Sequence, residues 1–88
     1  MEMFVNAKHR IPVQMYSCTN RDGKIIPIKF KFEDEDCSIK QFSIIRITDI
    51  KEYPGLSISY DVVINNFDKE QLIRLDYHLI DHKWVLSI

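Results

Sequence analysis

One alternating run, Lys24–Asp36, read as KIIPIKFKFEDED, constrains this chain more than any other stretch. Ile26, Ile28, Phe30 and Phe32 recur at period two, with Pro27, Lys29 and Lys31 between them. Successive side chains of an extended chain point to opposite faces. The run therefore buries Ile28 and Phe30 on one face and leaves Lys29 and Lys31 solvated on the other. Asp22-Gly23 before it and Glu33–Asp36 after it read as turns. This is a central strand with a hairpin on each side.

The flanking segments supply its partners. Ile11, Val13 and Met15 alternate with Pro12, Gln14 and Tyr16. Pro12 has no N–H to give a ladder, so this first strand starts at or lies on a sheet edge there. Upstream, Met3, Phe4 and Val5 read as packing on an edge. Thr19–Gly23 is a hairpin loop of three to five residues, with asparagine and aspartate to bond the backbone and glycine for positive φ. From Cys37 to Thr48 the chain is again strand-like, but its phase slips. Phe42 and Ile44 share one face while Ile45 and Ile47 share the other, which marks a β-bulge unless both faces are buried. Tyr53-Pro54-Gly55 turns the chain into a cleanly alternating strand, Leu56–Ile64, and Asn65-Asn66 starts the next turn.

Residues 67–80 read two ways. Asp68 with Gln71 resembles a capping box, and Leu72, Leu75 and Leu79 fit a helical stripe, so a helix over 68–80 is the alternative. Against it, Ile73, Leu75, Tyr77 and Leu79 alternate with Arg74, Asp76 and His78. The strand reading is taken, because Asp81-His82-Lys83 then turns the chain into a local partner, Trp84, Leu86 and Ile88.

Six antiparallel strands joined by short loops make an all-β fold, a single domain over residues 1–88. An open sheet of this size would leave an apolar face wet, so the strands close into a small barrel or stack as a two-sheet sandwich. Phe30, Phe32, Phe42, Tyr60 and Trp84 are the expected core. Only two glycines are present, which excludes Gly-rich phosphate loops and flexible linkers. No run reaches the length of a signal peptide or a membrane span, so a cytoplasmic protein with no membrane contact is expected. Cys18 and Cys37 flank the central strand. Its eight residues span about 26 Å, far beyond the ~4.4–6.8 Å that a disulfide allows, so the cysteines stay free.

The formal net charge is -1, but the charges are unevenly placed. Residues 1–31 carry six basic and two acidic side chains, whereas the rest carry six and eleven. Arg10, Arg21, Lys24, Lys29 and Lys31 come from the first hairpin and form a candidate basic patch, with Tyr16 as a candidate stacking aromatic. The simpler account is a dipolar surface. The acidic Glu33–Asp36 lacks the alternation, the sixth-position glycine and the twelfth-position glutamate of an EF-hand, and reads as a solvated loop. His78 and His82 are four apart but flank a turn, and His9 could join them only through the fold. Neither cysteine has a base beside it, and no acid–base pair is recognisable, so no catalytic residue, metal ligand or cofactor is assigned.

Arg10-Ile11-Pro12-Val13, Thr19 with Asp22-Gly23, Pro27, Glu33–Asp36 and the closing Lys83-Trp84 resemble a group of short, uncharacterised bacterial proteins. The resemblance is dense over residues 10–36 and implies a small bacterial β domain with no catalytic residue to carry over. The function expected is a non-catalytic interaction module that binds another protein or a second copy of itself. The alternative is weak single-stranded nucleic-acid binding through the basic patch of the N-terminal hairpin.

Overall fold

The computed structural model describes residues 10–87, so the Met3–Val5 edge, His9 and Ile88 lie outside the described residues. Six strands follow one another: β1 Arg10–Thr19, β2 Ile25–Glu33, β3 Ile39–Tyr53, β4 Ser57–Asn66, β5 Lys69–His78 and β6 Lys83–Ser87. Each pairs antiparallel with its successor, and β6 pairs back onto β1, so the meander closes into a barrel. Residues 69–78 are strand, not helix.

Two strands do the closing by changing partner along their length. β1 pairs with β6 over Arg10–Val13 and with β2 from Gln14 onward. Pro12 thus sits where β1 has a neighbour on one side only among the described residues, in keeping with its missing N–H. Likewise β3 pairs with β2 over Ile39–Ser43 and with β4 from Ile44 to Tyr53. Its register slips at Ile44/Arg46 and again at Ile47/Asp49, so the phase change around Ile45 is a bulge. Bulges increase local twist, which bends this fifteen-residue strand around the core.

A third slip, between Tyr16 and Ser17, lies opposite Ile28 and corrects the reading of the central strand. Phe30 is fully buried, but Ile28 is 47% exposed and Pro27 is buried in its place. Lys29 and Lys31 are half-buried. The interior holds Phe30, Tyr60, Val62, Ile64, Ile73, Leu75, Trp84 and Leu86, with Phe32 and Phe42 packed against them.

The turns follow backbone chemistry. Asn20–Lys24 and Asp34–Ser38 are built alike, each with a backbone bond from the fourth residue to the first and another from the first residue to the fifth carbonyl. Gly23 (φ 81) and Cys37 (φ 66) hold the same left-handed position in the two loops. Asn65 and Asn66 lie in β4, and the turn is Phe67-Asp68, both left-handed (φ 51 and 64) as a two-residue type I′ hairpin requires. A phenylalanine there is strained and 89% exposed. Phe67→Asn is expected to raise stability by about 0.5–1 kcal/mol, seen as a higher urea midpoint at unchanged slope.

Candidate interaction surfaces

The inward direction of Met15 and Phe30 places their strand neighbours outward. Tyr16 lies opposite Lys29 and Gln14 opposite Lys31, while Lys29 and Lys31 face Ser43 and Gln41 on the other side. Lys29 Nζ stands 4.8 Å from the Tyr16 ring centroid, a cation–π contact that covers one face of the ring. The two bulges add apolar area: Ile28 and Ile45 are each 47% exposed, like Tyr16 at 46%. Neither Lys29 nor Lys31 enters any of the ion pairs found among the described residues.

The other members of the expected patch lie elsewhere. Lys24 is drawn to Glu52 of β3, with 3.0 Å between Nζ and Oε1. Arg21 is exposed in the β1–β2 turn. Arg10 lies opposite Ser87, four residues from Gln14, or about 13 Å along the strand. That exceeds the ~8 Å Debye length at physiological salt. The fold therefore brings together Tyr16, Lys29 and Lys31, and it separates Arg10, Arg21 and Lys24 from them.

A second feature was hidden from local sequence patterns. β2 and β3 share five residue pairs, ending at Lys29 and Ser43, and then diverge. Between the start of β2 and the last half of β3 lies a cleft of about 800 Å³. Ile25, Ile26, Ile50, Ile58, Tyr60 and Leu79 make its walls and floor. The Lys24–Glu52 pair spans it, with both side chains more than half exposed. Tyr60 donates its hydroxyl to the Ile25 carbonyl at 2.7 Å, so a β4 side chain satisfies a β2 backbone group that no β3 strand reaches. Burial holds the Tyr60 hydroxyl above its ordinary value, with Glu52 adding to the effect, so it remains a donor at neutral pH. Only the ion pair of residues 28 apart marks this opening, and sequence spacing does not show it.

Several of the other polar groups singled out in the sequence have local partners. Asp34 Oδ1 accepts the Glu35 N–H, and Asp36 Oδ1 accepts both the N–H and the hydroxyl of Ser38. The Ser38 bonds hold the Asp36 carboxyl below its usual range. His82 Nδ1 lies 3.1 Å from the Tyr77 hydroxyl, and Cys18 and Cys37 are free and exposed. No group of three or more His, Cys, Asp or Glu side chains converges in a metal-binding arrangement among the described residues. No helix among them is long and apolar enough to cross a membrane. No protein-family model, curated protein or solved structure matches the chain.

Proposed function

We propose that this barrel is a small non-catalytic binding module whose outer β1–β3 face takes an acidic region of another protein. One observation carries the reading: two lysines outside the ion pairs found among the described residues stand beside an exposed tyrosine and two isoleucines lifted outward by bulges. An exposed tyrosine beside aliphatic side chains has the character of an interface centre, and lysines around it steer an acidic partner into place. The reading also takes the chain as bacterial, on the resemblance over residues 10–36, and as cytoplasmic, which its two cysteines, too few for a disulfide scaffold, support.

A photo-crosslinking amino acid at position 16 tests it. The expected product in an extract of the source cells is a protein adduct that disappears when Lys29→Glu and Lys31→Glu are introduced together. The captured protein, purified, should bind the unmodified barrel and lose at least tenfold in affinity for the double variant. Adducts unchanged by the double variant count against this face.

The Tyr16–Lys29 contact also supports single-stranded nucleic acid as a second reading, since a base can stack on an aromatic beside a cation. With two lysines on the face in place of three or more cations, log affinity should fall with log salt at a slope no steeper than about −1.4. Titrating labelled oligonucleotides at low and physiological salt checks this. Under the protein-binding reading, no binding is expected at physiological salt.

A further inference from the structure

The divergence of β2 from β3 leaves two strand edges facing each other across an apolar cleft, and we infer that an extended peptide segment of a partner protein adds there as an extra strand. The inference is independent of the outer β1–β3 face.

The backbone is the first reason. Ten residues of β3, Ile44–Tyr53, and four of β2, Ile25–Ile28, lie beyond the last shared pair. Among the described residues, each has a strand neighbour only on its far side, β4 for β3 and β1 for β2. Unpaired strand edges are templates for a new strand, and main-chain hydrogen bonds then provide sequence-tolerant affinity. Along the paired part of the seam the strands stand about 4.8 Å apart. Across the cleft, a lysine and a glutamate must meet tip to tip to span the gap. Tyr60 fills the role of the absent strand at one carbonyl, that of Ile25.

The side chains set the chemistry of the guest. A strand lying in the cleft turns alternate residues toward Ile26, Ile50 and Leu79, so apolar residues at every second position fit. The rim carries Asp22 and Glu52 against Lys24, a balance that favours a peptide with basic ends. Neither member of the Lys24–Glu52 pair is buried, so parting them to admit a guest costs little.

The probe is a fluorescein-labelled peptide, KITVTIK, with apolar residues on one face and lysines at its ends. Saturable binding is expected, with new amide hydrogen-exchange protection in residues 25–28 and 44–53. The same peptide N-methylated at alternate amides should bind at least tenfold more weakly, because it cannot complete a ladder. Ile50→Asp should weaken the parent peptide by a similar factor. Ile50 is 46% exposed, so this change should lower the urea midpoint only modestly and leave the barrel folded without denaturant, and that measurement separates lost binding from lost folding. Phe67→Asn, at the opposite end of the barrel, should leave affinity unchanged. Equal binding of the N-methylated peptide, protection confined to other strands, or no saturable binding up to millimolar peptide would each overturn strand addition.

Discussion

Replacing Phe30 by alanine is expected to lower the unfolding free energy by about 3–5 kcal/mol, the largest loss from any single side chain on the first hairpin. Phe30 is fully buried, with its ring centroid 5.8 Å from that of Phe42 and 6.4 Å from that of Phe32. Met15 lies opposite it on one side and Phe42 on the other, so the cavity cannot be filled without moving a strand. A domain of this size has roughly 5–15 kcal/mol in total, so the variant is close to unfolding at 37 °C. Ile28→Ala is the sharper comparison. Strict alternation would make it another core truncation, costing about 2–5 kcal/mol. On the bulge, with Ile28 half exposed, the loss should stay below about 1 kcal/mol. Lys29→Ala should lose about 0.5–1 kcal/mol with the cation–π contact. Urea denaturation of the three variants decides: equal losses at positions 28 and 30 would place the bulge elsewhere.

The second large effect concerns a charge pair on the other side of the barrel. Asp61 of β4 is only 8% exposed, and Arg74 of β5 donates to it through Nε at 2.8 Å and a terminal nitrogen at 3.3 Å. Arg74→Leu strands a buried carboxylate and should cost about 3 kcal/mol. Asp61→Val instead leaves a guanidinium that is already a third exposed and can hydrate, so about 1–2 kcal/mol is expected. The order of the two matters more than either value. Combining Arg74→Leu with Asp61→Val removes both charges and should recover most of the loss, because an apolar pair of similar volume is often as stable as a buried ion pair. If the double variant is as unstable as the sum of the singles, packing and not charge governs this site.

How far the sequence discloses this architecture depends on whether each signal is local. Period-two runs and turn residues are local, and they place all six strands. The doubled isoleucine at 44 and 45 disclosed the β3 bulge because two adjacent apolar residues cannot share one face of a regular strand. The β2 bulge had no such mark: Ile26 to Phe32 alternates perfectly, and only Pro27, which cannot donate to a ladder, hints at a break. The Phe67-Asp68 turn carries the opposite difficulty, since aspartate suits its left-handed position but phenylalanine does not, and the asparagines stand one step earlier at 65 and 66. The expected basic patch failed in part because linear proximity ignores competition. Glu52, 28 residues away, takes Lys24 from it. The cleft beside that pair arises from strand divergence and leaves no local trace.

Five of the six seams in this cylinder join strands adjacent along the chain, and the sixth does not. Closing β1 against β6 brings together residues 71 to 77 apart, from Val13 with Trp84 to Arg10 with Ser87. By the logarithmic law of loop closure, a ring that long costs about 2.5 kcal/mol more than a four-residue turn if it is closed from an open coil. Only four residue pairs meet across it, but Ile11 and Val13 come in against Leu86 and Trp84, two of the buried core residues. Hairpins already formed in sequence shorten the effective ring, because each zipped pair removes its own length from the loop. The meander order thus converts one improbable long-range encounter into a series of short ones.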